Sequence, residues 1–281
     1  MTKFILFSKL FRVICLVFLL STYAVKAFSQ TDYLDLFLKR NGRTSVFLTQ
    51  PQSSQKLEKM RRVNQILQEL EMMRENFLQT GDLIDIFPTV YYHVTFKEFE
   101  YILSDKFQNP AEIMDLIINF YEIYKINRQA FLQDGIAAVQ PQWREYYQRA
   151  INTNDYRKKS SNLFKPLIML WKIKRILQSG FAGHINFDLP CAVNQTLQRS
   201  ENNEDRLYKD FRLSDEIMRT ADGAANRDIS QAIFKNTRNF ANISLNLGAK
   251  FIFLEHKINR MRVKAWQAGS GNVSLQICQF N

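Results

Sequence analysis

The sequence has 281 residues, 46% of them hydrophobic, and its 38 Lys and Arg against 27 Asp and Glu give a formal net charge of +11. This length is enough for one large hydrophobic core or two small ones. The positive excess fits attraction to anionic envelopes or polysaccharides and is equally a solubility feature. The Gly-rich, zinc-finger and basic-helix motifs of nucleic-acid-binding proteins are missing from the sequence, which argues against that class.

The first 27 residues have the layout of a secretory signal peptide. Three basic residues lie within the first twelve, an apolar run follows over residues 13–25, and Val25 and Ala27 suit the positions before a cleavage site. The apolar run is shorter than the roughly 20 residues that span a bilayer, so an uncleaved anchor is the alternative. We predict a signal peptide over residues 1–27 and a periplasmic or extracellular location. Four basic residues leave with the signal, which lowers the formal charge of the mature chain from +11 to +7.

Helical periodicity dominates the mature chain. Apolar residues recur at three- and four-residue steps over residues 55–78, which predicts an amphipathic helix. Residues 81–106 are dense in aromatic side chains, and we expect them to be buried on more than one side. Asn109, Pro110 and Glu112 then supply a cap, a first-position proline and a first-turn acid, which together predict a helix start.

The second half of the chain continues this pattern. Pro141 is predicted to open a short helix, with a polar linker after Ile151. Strand signals are sparse, and residues 272–280 are the one segment that could form a strand. The remaining predicted helices cover residues 166–187, 203–221 and 246–268. We therefore predict that residues 28–281 form a single all-α, bundle-like domain of about seven to nine helices, with one long helix kinked near Pro190.

The segment "GHINFDLP", residues 183–190, concentrates polar side chains within an apolar surround. His184 and Asp188 stand four residues apart, so both should face the same side of a helix. Pro190 has no N–H to donate to the carbonyl of Asn186, and the freed carbonyl should lie beside that pair. Gly180 and Gly183 lie one turn earlier, where they thin the helix and leave room for a ligand or a close neighbour. The segment therefore predicts a polar pocket.

Three interpretations of this segment are open. His184 and Asp188 could bind one divalent metal with further ligands from other helices. Alternatively, Asp188 could orient His184 as a general base, with Asn186 as the third polar member of the pocket. In the structural interpretation, "DLP" begins a new helix with Pro190 in its first turn, and His184 closes the helix before it.

Further metal ligands are scarce, because the chain has only three histidines. His93 lies among aromatic residues and is expected to be a satisfied core or rim histidine rather than a ligand. His256 is flanked by charged residues and is expected to be exposed. A mixed site could recruit a carboxylate from Asp82, Asp85, Glu98 or Asp215.

Two further features leave alternatives open. Cys191 and Cys278 could form one disulfide in an oxidising compartment or could remain packed thiols. The basic, apolar stripe over residues 157–175 fits a core helix with snorkelling lysines, and it also fits a helix that lies on a membrane surface.

These segments carry a resemblance to a bacterial family of helical proteins known only as a domain of unknown function. The family's hallmark is similar to "GHINFDLP", and the similarity extends through "VYYHVTFKEFEYI", "NPAEIMDLIINFYEIY", "YKDFRLSDEIM" and "RVKAW", most of the mature chain. The resemblance implies an all-α fold and supplies no reaction. Where the family has an arginine before "VT", this chain has His93. The motif positions that it carries over are Thr95, His184, Asn186, Asp188 and Pro190.

The His-x-x-x-Asp element also resembles one pair of metal ligands in the zinc-dependent phospholipase C and single-strand nuclease enzymes. Those enzymes need several more histidines than this chain possesses, so a trinuclear zinc site is excluded and one metal or none remains.

We therefore expect an exported helical protein with a pocket built on His184, Asn186 and Asp188. It would perform a metal- or base-assisted hydrolysis or elimination on a small or lipid-like substrate, with at most one divalent metal as cofactor. The alternative is a non-catalytic binding or structural protein, peripherally associated with the envelope, in which the motif fastens a helix break.

Overall fold

The structure, a computed structural model, describes residues 54–159, 165–199, 204–234, 248–271 and 278, with only the backbone for residues 248–256. The predicted signal peptide lies outside these residues, as does the possible strand except for residue 278. The described elements are all helical, and no strand occurs among them, which confirms the all-α fold class. No helix in this part of the chain combines the length and the apolar character needed to cross a membrane.

The helices of the described residues are numbered in chain order. They are α1 (Ser54–Thr80), α2 (Ile86–Leu103), α3 (Pro110–Asp134), α4 (Pro141–Lys159), α5 (Lys165–Gly183), α6 (Leu189–Arg199), α7 (Glu204–Phe234) and α8 (Gly248–Ser270). A π-helical turn, His184–Asp188, joins α5 to α6, so the described part has seven helices when α5 and α6 count as one interrupted helix. This agrees with the predicted range of seven to nine.

The chain divides into two compact units, residues 1–64 and residues 65–281. Of the first unit, the structure describes only the beginning of α1. The second unit contains a core that is rich in large aromatic side chains, several of which are completely buried: Trp143, Tyr121, Tyr124, Tyr146, Tyr147 and Phe87. Half of the 18 residues of α2 are buried, as the aromatic density of that segment predicts.

Helix α4 is longer than the sequence predicts, and the expected linker after Ile151 is wrong. The helix continues to Lys159 because its polar side chains satisfy groups on the turn before α2. Asn154 accepts a hydrogen bond from the backbone N–H of Leu83 at 3.2 Å, and Arg157 donates to the carbonyl of Gly81 at 2.6 Å. The polarity of this segment thus reflects capping of a neighbouring element rather than a solvated linker.

Cys191 and Cys278 form a disulfide, with their Cα atoms 5.6 Å apart. Of the two alternatives left open by the sequence, the structure shows the bridge, which ties α6 to the end of the chain. A closed loop of this size typically stabilises a fold by a few kcal/mol, about 4.6 in the chain-entropy model.

Candidate functional site

The chain stays helical through "GHINFDLP", but its hydrogen-bond register changes there. The N–H of Leu189 donates to the carbonyl of His184, five residues back, and Leu189 itself has ordinary α-helical angles of −63° and −42°. Such single π-helical turns arise where one extra residue is accommodated in a helix, and Pro190 cannot support the regular pattern because it lacks an N–H. The irregularity expected near Pro190 is therefore a π-helical turn. Helix α6 begins at Leu189 with Pro190 in its first turn, as the structural interpretation predicts, but the π-helical turn joins it to α5 without a break.

The structure brings His184 and Asp188 together, as their spacing predicts. His184 Nδ1 lies 2.9 Å from Asp188 Oδ2, and the two residues are only 3% and 1% exposed. The indole N–H of Trp143, on α4, donates to the same Oδ2 at 3.0 Å. His184 Nε2 and Asp188 Oδ1 are buried and have no hydrogen-bond partner of normal geometry within the described residues.

Aromatic rings enclose the imidazole. Phe120 stacks on it nearly parallel, with ring centroids 3.5 Å apart, and Tyr91 presents an edge at 4.8 Å. Three more rings have centroids within 6 Å of the imidazole: Phe87, Tyr124 and Trp143. This surround offers little solvation to a charge, so it disfavours the ionised form of any group inside it.

Burial acts on both members of the pair. It lowers the pKa of His184 well below its ordinary value of 6.5. It raises the pKa of Asp188 well above 3.8, against the opposing hydrogen bonds of Trp143 and Gln142. Both shifts favour the uncharged forms, so the imidazole is neutral at neutral pH. A neutral imidazole is the form that can accept a proton.

Gly180 and Gly183 permit the close packing that positions the pair. A Cβ added at Gly183 would lie 3.0 Å from the carbonyl oxygen of Gln142, and one at Gly180 would lie 2.8 Å from the ring of Phe87. The sequence left open whether the space at these glycines holds a ligand or a close neighbour, and the structure shows close neighbours. Because α4 approaches so closely, Trp143 reaches Asp188.

His184 is one of the residues that line a cavity of about 80 Å³. This is several times the roughly 10–15 Å³ needed for one water molecule. Among the described residues that line it, five carry polar groups: Tyr91, Glu98, His184, Ser214 and Arg262. The rest of this lining is apolar and includes Phe87, Ile117, Phe120, Phe181 and Leu189. The space beside His184 is thus mainly apolar, which differs from the polar pocket that we expected.

Asn186 lies apart from the other two candidate residues. It is exposed on the π-helical turn and does not line the cavity, and neighbouring Phe187 is 38% exposed. The structure therefore unites His184 with Asp188 and leaves Asn186 outside. Trp143 and Phe120, which complete the site, were not identified from the sequence, because nothing local to either residue marks it as a neighbour of the motif.

The described residues contain no group of three His, Cys, Asp or Glu side chains placed to hold a metal ion. Three of the carboxylates considered as extra ligands have other partners: Asp82 accepts from the N–H of Ile84, Asp85 pairs with Arg128, and Asp215 pairs with Arg262. Glu98 lines the cavity, where burial raises its pKa despite the nearby charge of Arg262.

The two remaining histidines lie elsewhere. His93 Nε2 is 2.6 Å from Asp228 Oδ2, which confirms the prediction of a satisfied histidine. The side chain of His256 is outside the described residues. Thr95, carried over by the resemblance, is completely buried on α2, and its hydroxyl has no hydrogen-bond partner within the described part of the chain.

Comparison with known proteins bears on the motif and on the helices that follow it. No curated protein and no solved structure matches the chain. Residues 172–275 match the sequence model of a family described as a family of unknown function (DUF5995), which confirms the resemblance to such a family. This segment contains the whole π-helical turn, whereas Trp143 and Phe120 precede it.

Proposed function

We propose that the protein binds a small, largely apolar or lipid-like substrate in the cavity beside His184, and that His184 acts there as a general base in a hydrolysis or elimination. The observation that carries this proposal is the position of His184. Its imidazole is oriented by Asp188, and His184 also lines a mainly apolar cavity.

The lining supports an apolar substrate. Residues with aromatic and branched aliphatic side chains make up most of the wall, and apolar pockets with a few polar groups are the usual form of small-molecule sites. Moving an apolar group from water into such a cavity is favourable by about 25 cal/mol per Å² of surface. His184 would then contact the polar, reacting part of the substrate.

The hydrogen bond to Asp188 supports a base role. When Nδ1 carries the hydrogen and donates it to Oδ2, the lone pair at Nε2 is free to take a proton. The positive charge that develops on the ring would be stabilised by the face of Phe120, whose ring centroid lies 3.5 Å from that of the imidazole. A metal-assisted version would need ligands beyond this pair. Export and an envelope location remain part of the proposal, supported by the features of residues 1–27.

The test is ester hydrolysis, measured with p-nitrophenyl esters of increasing acyl length, in the presence and absence of a chelator. We expect turnover that rises with acyl length, is unaffected by the chelator and falls about 100-fold or more in His184→Gln. His93→Gln is the matched control, because it removes an imidazole from the other His–carboxylate pair. Circular dichroism verifies that each variant is folded.

Turnover that His184→Gln leaves unchanged would contradict the proposal. Turnover that the chelator abolishes and added zinc or manganese restores would replace the base mechanism by the metal-assisted one.

One observation favours a second candidate, a non-catalytic role in which the pair fastens the π-helical turn. His184 Nε2 is itself inaccessible to water, and Trp143 ties Asp188 to α4. In that case the protein binds an apolar ligand or none, no ester is hydrolysed, and His184→Gln lowers the melting temperature without any effect on ligand affinity.

A further inference from the structure

Helix α5 presents two large apolar side chains to solvent. Leu167 is 64% exposed and Trp171 is 57% exposed, and their four-residue spacing places them on one face. The opposite face of α5 is packed in the core through Met169, Ile173 and Leu177. The helix is therefore a core helix on one side, and within the described residues its other side exposes this apolar pair to solvent.

The surroundings of this stripe are strongly basic. Residues 156–187 contain seven Lys and Arg and no Asp or Glu. Lys174 and Arg175 are exposed on α5, and the Arg175 guanidinium lies 4.8 Å from the centroid of the Trp171 ring.

The last turn of α4 adds to this basic region. Lys158 and Lys159 are exposed there, and the Lys165 ammonium donates to the carbonyl of Arg157 at 2.6 Å, so the end of α4 lies beside the start of α5. The region therefore combines cations from two helices around the exposed indole.

This combination fits the interface of an anionic bilayer. Tryptophan favours the headgroup level, where its ring is partly dehydrated and its N–H can still form hydrogen bonds. Each Lys or Arg close to an anionic membrane adds attraction, and an aliphatic side chain such as Leu167 gains by entering the acyl boundary. A nucleic acid would use the cations and the indole, but it offers Leu167 no comparable environment.

We propose that this docking surface, formed by Leu167, Trp171, Lys174 and Arg175 with Lys158 and Lys159, binds the surface of a bilayer that contains anionic phospholipid. The proposal is independent of the proposed activity, because it rests on the exposed face of α5 rather than on the cavity.

Trp171 provides a local probe. The chain has three tryptophans, and the other two, Trp143 and Trp266, are buried. We would mix the full chain with vesicles of brominated phosphatidylcholine, with or without 30% brominated phosphatidylglycerol, and measure the quenching of tryptophan emission. The difference between the wild type and Trp171→Phe isolates the signal of Trp171.

We expect Trp171 to be quenched by the anionic vesicles and much less by the neutral ones. Lys174→Glu/Arg175→Glu should raise the lipid concentration for half-maximal quenching about tenfold or more. Arg206→Glu/Lys209→Glu, which makes the same charge change at exposed positions of α7, should leave it within about twofold, since only charges near the contact are unscreened.

Several outcomes would overturn the proposal. These are unquenched Trp171 with anionic vesicles, equal quenching with neutral vesicles, and equal losses from the two charge-reversed pairs. Shielding of Trp171 from acrylamide by RNA or by a second copy of the chain, without quenching by vesicles, would also overturn it and would identify a different occupant.

Discussion

Two histidine–carboxylate pairs in the described part of the chain have opposite environments. His184 and Asp188 are enclosed by aromatic rings, are 3% and 1% exposed, and have no cationic partner in the described structure. His93 and Asp228, on α2 and α7, have side chains that are 13% and 11% exposed, and Arg74 adds a charged hydrogen bond to the same carboxylate at 2.5 Å.

The two carboxylates respond in opposite directions. Burial raises the pKa of Asp188, because little around it compensates for the lost solvation. Partial burial acts to raise the pKa of Asp228 as well, but the hydrogen bonds from His93 and Arg74 and their charges outweigh it, so that pKa is lowered. An imidazole–carboxylate contact alone therefore does not define a functional site. The neighbours decide whether it is a neutral pair or an ion cluster.

The largest expected effect comes from removing each carboxylate. Asp188→Ala leaves the Trp143 N–H and one imidazole nitrogen buried without partners, which should lower the free energy of unfolding by about 3–4 kcal/mol. Asp228→Ala should cost about 1–2 kcal/mol, because Arg74 and His93 can be rehydrated at their exposed edges. Urea unfolding measures both, and equal losses would show that the environments differ less than the structure indicates.

Glycines near the two pairs should give effects of opposite sign. Gly183→Ala places a methyl group 3.0 Å from a backbone oxygen of α4, so we expect a loss of about 1–3 kcal/mol. Gly223→Ala lies within α7, where the nearest neighbour is 3.8 Å away, and should gain up to about 1 kcal/mol of helix propensity. Thermal unfolding checks both, and a neutral Gly183→Ala would contradict the close approach of α4.

The pH dependence should separate the pairs next. Between about pH 3.8 and 6.5, the ordinary pKa values of the two groups, folded Asp188 keeps a proton that the unfolded chain loses. Folded His184 lacks a proton that the unfolded chain gains. These terms cancel, so the contribution of the pair is flat in this window.

Outside the range from pH 3.8 to 6.5, only one of the two residues still binds a different number of protons in the folded and unfolded states. Above pH 6.5 only the Asp188 difference persists, and stability falls as pH rises. Below pH 3.8 only the His184 difference persists, and stability falls as pH decreases, by at most about 1.4 kcal/mol per pH unit. The depressed pKa of Asp228 instead contributes stability above pH 3.8 that is lost as pH falls through its folded value.

Unfolding of the wild type and of His184→Gln/Asp188→Asn from pH 3 to 9 isolates the contribution of the pair. Asp228→Asn, measured over the same range, is the control for the ion cluster. A difference between the wild type and the double variant that changes steadily between pH 4 and 6.5 would mean that only one member of the pair is held uncharged in the folded protein.

Local pattern was enough to predict part of this site. The four-residue spacing predicted the His184–Asp188 contact, and the two glycines predicted room for a ligand or a close neighbour at that helix face, because both depend only on helix geometry. The all-α class followed from periodicity in the same way. The outward position of Asn186 also agrees with helix geometry, because residues two apart do not share a helix face, and its polarity alone had grouped it with the pair.

Contacts between segments that are far apart in the chain could not be predicted from local sequence patterns. Trp143 donates to Asp188 across 45 positions of chain, and Phe120, which stacks on His184, belongs to another helix again. The apolar character of the cavity arises from several helices that each contribute a few side chains. The linker predicted after Ile151 was wrong for a related reason. The partners that explain the polarity of this end of α4 lie more than 70 residues earlier.

The smallest expected effect is the response to salt. The Debye length falls from about 10 Å at 0.1 M salt to about 3 Å at 1 M, which screens partly exposed charges and leaves buried neutral groups unaffected. The coupling energy between Arg74 and Asp228, from a double-mutant cycle with Arg74→Met and Asp228→Asn, should therefore fall by a few tenths of a kcal/mol in 1 M NaCl. The cycle for His184→Gln and Asp188→Asn should give the same coupling energy at both salt concentrations. A salt-dependent coupling energy there would show that this pair carries charge. The two pairs would then differ only in how exposed their charges are, and not in whether they are charged.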